Sequence, residues 1–78
     1  MSGTEDEIVI INFTSSTIIV RVTADNGDTG SAAFQYIDPN DYGAWTRSQW
    51  QVAFVFRKDG SSQAETMIVK PSETYQIT

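Results

Sequence analysis

The chain has no histidine and no cysteine. It therefore lacks the usual general base at neutral pH and the best side-chain nucleophile, so Ser-His-Asp and Cys-His chemistry are excluded. Disulfides and thiolate zinc sites go with the cysteines, and neither a metal nor a cofactor is expected. Two carboxylates flanking a sugar could still make a glycosidase, but 78 residues leave little depth for the water-excluding cleft that raises one acid's pKa. The expectation is a binding protein and not an enzyme.

Basic residues are also scarce. Five of them (Arg21, Arg47, Arg57, Lys58 and Lys70) stand against ten acidic residues, for a net charge of −5. They are scattered along the chain, so nucleic acid is not an expected partner, because binding a phosphate backbone draws on clustered Lys and Arg. Anionic membrane surfaces are disfavoured for the same reason, and no apolar run approaches the ~20 residues of a membrane span. The opening Met1-Ser2-Gly3-Thr4-Glu5-Asp6-Glu7 has neither the positive n-region nor the apolar stretch of a secretory signal, which points to the cytoplasm. Residues 1–6 read as a disordered acidic leader, solvated and soluble, ahead of one domain over 7–78.

A chain this short buries only roughly 60–65% of the surface its unfolded form exposes. With no disulfide to reinforce a thin core, homo-oligomerisation is expected.

What the sequence does have is β-branched and aromatic residues in period-two alternation. Ile8 to Phe13 is nearly all apolar, suiting a strand buried on both faces or one at a subunit contact. Thr14-Ser15-Ser16 reads as a turn leading into Thr17 to Thr23, so the two runs predict a hairpin, with Ile18, Val20 and Val22 on one face and Ile19, Arg21 and Thr23 on the other. Asn26-Gly27 supplies the positive φ angles of a turn, a third strand runs from Ala32 to Ile37, and Asp38-Pro39-Asn40-Asp41 breaks it. A short segment, Ala44 to Arg47, pairs briefly. Trp50 to Arg57 alternates most strongly, and its Trp50, Val52, Phe54 and Phe56 face is the predicted centre of the core. Lys58-Asp59-Gly60-Ser61-Ser62 predicts a hairpin loop, followed by strands Gln63 to Val69 and Glu73 to Ile77 around a Lys70-Pro71-Ser72 turn. Six to seven short strands at this spacing predict an all-β fold, a compact antiparallel β-sandwich.

The stretch Tyr42 to Trp50 concentrates three large aromatics and an arginine around a turn. A Trp ring offers a flat apolar face for a sugar's C–H face and one N–H donor. Arg47 adds a planar fork of donors for ring hydroxyls or a carboxylate, and Asp38, Asn40 and Asp41 can supply acceptors. Tyr42, Trp45, Arg47, Trp50, Asp38, Asn40 and Asp41 are therefore the candidate ligand-binding set. Each has a structural alternative. Trp50 opens an apolar face and so also fits the core, and Arg47 could stack on Trp45 as a cation–π pair. The Asp-rich loops at 25–28 and 38–41 have the oxygens calcium takes, but lack EF-hand spacing and have the composition any turn prefers. Asn12-Phe13-Thr14 matches a glycosylation sequon, yet it ends a hydrophobic strand.

Trp45-x-Arg47-x-x-Trp50-x-Val52-Ala53-Phe54, followed by a Lys-Asp-Gly turn and a strand ending Ile68-Val69, resembles a pattern of small cysteine-poor proteins of mushroom-forming fungi, W-x-R-x-x-W-x-x-V-A-F, with the spacing here one residue tighter. Ile10-x-Asn12-x-Thr14 and Ile18-x-Val20 fit the same pattern. Fruiting bodies are rich in small cytosolic β-sandwich lectins and defence proteins, so the resemblance implies a lectin-like protein binding glycans through a shallow aromatic and arginine loop, made multivalent by oligomerisation. The alternative is a protein-interaction or self-assembly module that uses the Ile8 to Phe13 strand, or the exposed hairpin face carrying Ile19. A membrane-active defence protein anchored by its aromatic loop ranks below both.

Overall fold

The computed structural model describes residues 6–58 and 64–78. Seven strands form in sequence order: β1 (Glu7–Asn12), β2 (Ile18–Val22), β3 (Gln35–Ile37), β4 (Tyr42–Thr46), β5 (Gln51–Arg57), β6 (Ala64–Val69) and β7 (Glu73–Ile77). They make a β-sandwich of two sheets, with strand orders β4-β1-β7 and β3-β2-β5-β6. All neighbours pair antiparallel except β1 and β7, which run parallel. Among the described residues no helix is long and apolar enough to cross a membrane.

Alternation fills the space between the sheets. Ile8, Ile10, Trp45 and Ile77 come from the three-stranded sheet, and Ile18, Val20, Val22, Ile37, Ala53, Val55 and Val69 from the other. Met67 and Tyr75 pack against this cluster from its margin. The core is aliphatic apart from Trp45.

Two sequence expectations are corrected. The runs flanking Thr14-Ser15-Ser16 do not form a hairpin, because β1 and β2 lie in different sheets and the chain crosses between them. Asn12 is the reason. Its fully buried amide donates to the carbonyls of Ser16 and Ile37, at 2.8 and 2.9 Å, and its Oδ1 accepts from the N–H and hydroxyl of Thr14, at 2.8 and 2.6 Å. One side chain thus shapes the crossover and ties β1 to the end of β3. It also removes the sequon asparagine from the surface.

The second correction concerns β5, whose inward face is Gln51, Ala53 and Val55, while Val52, Phe54 and Phe56 point outward. Register decides this: Val20 pairs with Val55 and Val22 with Ala53, and paired residues share a face. Gln51 is buried without cost in unmade bonds. Its Oε1 accepts from Thr23 Oγ1 and Asp25 N–H, and its Nε2 donates to Asp25 O and an Asp28 carboxylate oxygen.

The third strand is shorter than expected, β4 begins two residues before and ends one residue before the predicted Ala44 to Arg47, and β7 matches its predicted span. The Lys58-to-Ser62 loop lies, beyond Lys58, outside the described residues, as does the acidic leader apart from Asp6.

Replacing Asn12 with Ala takes the amide donor from the buried Ile37 carbonyl and the acceptor from the Thr14 N–H, while the Thr14 hydroxyl and the Ser16 carbonyl keep their bond to each other. At about 1–3 kcal/mol for a buried polar group left unsatisfied, Asn12→Ala is expected to lower unfolding stability by ~3 kcal/mol in urea denaturation. A loss below ~0.5 kcal/mol, the usual range for surface changes, contradicts the crossover role.

Candidate functional site

Strand β4 alternates exposed and buried residues along its whole length. Tyr42, Ala44 and Thr46 face solvent, whereas Gly43 and Trp45 face the other sheet. Arg47 continues the inward side, and is 2% exposed. Trp45 is 3% exposed, so neither ring face is open to a sugar. The six-membered ring of Trp45 lies across Gly43, where a Cβ would come within 2.8 Å of Cη2. A glycine two residues before a tryptophan in a strand is the sequence signal of this packing.

Arg47 does not stack on Trp45. Its Nε donates to Thr23 O at 2.8 Å, Nη1 to Thr46 O at 2.9 Å, and Nη2 to Val22 O at 3.1 Å and Ser31 O at 2.6 Å. The guanidinium thereby joins the end of β4 to the end of β2 and to the loop after it.

The remaining predicted residues separate in space. Asp38, Asn40 and Asp41 form the turn between β3 and β4: Asp41 N–H donates to Asp38 O, and Asn40 takes a φ of 66°. Asp38 accepts from the Thr17 hydroxyl and Asp41 from the Tyr42 N–H. That turn is at the opposite end of β4 from Arg47, roughly 17 Å away at the rise of a strand. Trp50 is half-exposed beyond Arg47, its carbonyl accepting from Asn26 Nδ2. The expected single loop site of Tyr42, Trp45, Arg47, Trp50, Asp38, Asn40 and Asp41 is therefore corrected: strand alternation sends Tyr42 and Trp45 to opposite faces, and strand length parts the acceptors from the arginine.

No protein-family model matches the sequence, and no curated protein or solved structure matches it significantly.

Three surfaces remain for function. The first is the outer face of the four-stranded sheet. Across it Tyr36, Ile19 and Phe56 share one row, Arg21, Phe54 and Thr66 the next, and Val52 and Ile68 a third. Phe34 leans on Phe56 with ring centroids 5.8 Å apart. Two cations lie down on this surface, Arg21 over Phe54 and Lys58 over Tyr36, each 5.6 Å from the ring centroid. Sequence reasoning found Ile19 here but placed the phenylalanines inside, since both faces of β5 are apolar.

The second surface is a trough of about 340 Å³ on the outer face of the other sheet, lined by Glu7, Val9, Ile11, Tyr42, Ala44 and Thr74. Ala44, Val9 and Thr74 pair across its floor, and Tyr42 with Ile11 makes one wall. The third is a recess of about 250 Å³ beside β4 whose lining includes Trp45, Arg47 and Gln35.

The loop at 25–28 is organised by Asp28. Its carboxylate accepts from Ser48 Oγ at 2.6 Å, Ser48 N–H at 2.8 Å, Gln49 N–H at 3.0 Å and Gln51 Nε2 at 2.8 Å. These donors, the Ser48 hydroxyl first, bring its pKa from an ordinary 3.8 down to about 2. An oxygen pair engaged by four donors is a loop clamp. Because the folded pKa lies below the unfolded one, the clamp's contribution is present above about pH 4 and fades as the pH falls toward 2. Asp28→Asn is expected to be less stable than the parent at pH 7, and the gap should narrow between pH 4 and 2 in thermal melts. A gap that is independent of pH contradicts the assignment.

Proposed function

We propose that the protein is a self-associating interaction module, two copies meeting through the outer face of the four-stranded sheet. The observation that carries this reading is the placement of the phenylalanines. None of the four enters the core; Phe13, Phe34 and Phe56 are 49, 51 and 41% exposed, and Phe54 is half-buried. Three of them share one face with Tyr36 and with Ile68, which is 58% exposed. Contiguous apolar surface of this kind marks interaction sites, and aromatic anchors dominate the energetics of interfaces.

A second copy fits the face better than a foreign partner does. The face has no carboxylate among its described residues, so a chain of net charge −5 meets its copy on its least acidic side. The molecule measures 35 by 25 Å across its two longer axes, room for the ~800 Å² per partner of a standard interface. Sheet stacking of this type buries alternate residues of each strand, as the internal core does. The nearly apolar strand β1 has no free edge for strand pairing, since it is central in its sheet and paired on both sides.

Sedimentation velocity across a concentration series is expected to show a reversible dimer. Phe56→Lys should remain folded and shift the dissociation constant by ~30-fold or more, a hot-spot loss of about 2 kcal/mol. A parent that sediments as a monomer at every concentration overturns self-association, and capture of an acidic foreign protein by that monomer would assign the face to a heterologous contact.

Glycan binding is a second reading, supported by the trough rather than by the loop. Tyr42 is 63% exposed and gives the trough an aromatic wall, while Glu7 and Thr74 supply an acceptor and a hydroxyl. Dimerisation through the opposite sheet would turn two troughs outward, so that weak single sites add through avidity. On a glycan array the parent is expected to bind one glycan class and Tyr42→Ala to lose at least ~10-fold, the value of one aromatic contact of about 1.5 kcal/mol. A blank array from folded dimer removes this reading and leaves self-association standing.

A further inference from the structure

The recess beside β4 is bounded by Thr29, Ser31, Gln35 and Thr46 around Trp45 and Arg47. Two features of its lining are not used by the fold. Trp45 Nε1 is the one fully buried side-chain nitrogen or oxygen that has no hydrogen-bond partner among the described residues. A buried N–H without an acceptor is rare, because it forfeits its hydration and receives nothing in return.

The second feature is Arg47. Four of its five N–H groups donate to carbonyls, leaving one hydrogen on Nη1 with no acceptor among the described residues. All of the acceptors are neutral. The one ion pair among the described residues is Arg57 with Glu65, so none of their carboxylates pairs with the buried Arg47 cation. Buried charges are normally paired. Asp28, whose loop lies nearby, directs its carboxylate to Ser48, Gln49 and Gln51 instead.

We propose that this recess binds a small carboxylate, its oxygens accepting from Trp45 Nε1 and from the open Nη1 hydrogen of Arg47. Both unused groups are donors, and a carboxylate is an acceptor only, with two oxygens to match two donors. The guanidinium supplies the charge it needs. The hydroxyls of Thr29 and Ser31 and the amide of Gln35 suit a ligand with polar substituents. At about 250 Å³ the recess is below the usual ~300–1,000 Å³ of sites for drug-sized molecules, which sets the class as a short carboxylic or sugar acid. A neutral sugar is a poorer match, because the ring faces of Trp45 are buried and its one unpartnered polar group is a donor.

The site differs from both surfaces of the proposed function and stands or falls separately. Uniformly ¹⁵N-labelled full chain is titrated with sodium acetate and, separately, sodium glucuronate, each against sodium chloride at matched ionic strength. Trp50→Phe assigns the two indole signals. Saturable downfield movement of the Trp45 indole proton, with the Trp50 indole unmoved and chloride without effect, is the expected result. Trp45→Phe keeps a ring and removes the donor, so the affinity read from backbone amides of residues 29–35 should fall by ~10-fold or more, the worth of a hydrogen bond to a charged group. If that variant does not fold, the parent titration decides alone. A Trp45 indole that does not respond to either acid, or that responds equally to chloride, overturns the proposal.

Discussion

One guanidinium holds the two sheets in register at one end of the sandwich. Arg47 extends inward from the end of β4, in the three-stranded sheet, and binds the carbonyls of Val22 and Thr23 at the end of β2, in the four-stranded sheet. Its bond to Ser31 O draws the loop after β2 over the same end. Gly30 takes a φ of 153°, and a Cβ there would stand 2.8 Å from Nη1, so the loop closes over the arginine only with glycine at this position. At the other end Asn12 plays the matching part with Ser16 and Ile37. Between these two polar ties the sheets are joined mainly by side-chain packing, with Arg57 Nη1 donating to Thr78 O and Lys70 N–H to the Tyr75 hydroxyl as further polar contacts.

That arrangement explains why the aromatics lie outside. The short axis of the molecule is 17 Å, and stacked sheets stand ~10 Å apart. In this space Trp45 is accommodated because Gly43 leaves room on its own strand and because small side chains such as Ala53 line the facing sheet. A second large ring would need another such gap, and the remaining core positions hold isoleucine and valine, which interdigitate at that spacing. The rings of β5 consequently face outward, where they cover the sheet together with Arg21 and Lys58. The same geometry that buries the one tryptophan of the core thus creates the apolar outer face.

The strands themselves were legible. Period-two alternation located β2, β5 and β7 within a residue or two, and the Asp-Pro-Asn-Asp turn separated β3 from β4. Facing was not legible where both sides of a strand are apolar. In the run from Trp50 through β5, Trp50, Val52, Phe54 and Phe56 outweigh Ala53 and Val55 by hydrophobicity, and only the pairing of β2 with β5 shows that the smaller residues are inside. Nor did the sequence show that Thr14-Ser15-Ser16 is a crossover: the turn composition is right for a hairpin, and the deciding contacts, Asn12 to Ile37 among them, span 25 residues. Long-range pairing is set by the whole packing and not by the local chain.

The motif that drew attention in the sequence, Trp45-x-Arg47-x-x-Trp50, shows how a residue set can be right and its surface wrong. Trp and Arg two apart in a strand share a face, and the alternation Tyr42-Gly43-Ala44-Trp45-Thr46 already places that face opposite Tyr42. Had the tyrosine and the tryptophan formed one platform, the strand would have needed a bulge to bring odd and even residues to the same side. With an unbroken strand, the tryptophan and arginine must be structural first. What they offer to a ligand is only what packing leaves over, an indole edge and one guanidinium hydrogen. That residue of donor capacity is small, but it lies beside a buried cation that no carboxylate among the described residues neutralises, and electrostatics at low dielectric weighs such a charge more heavily than any exposed one.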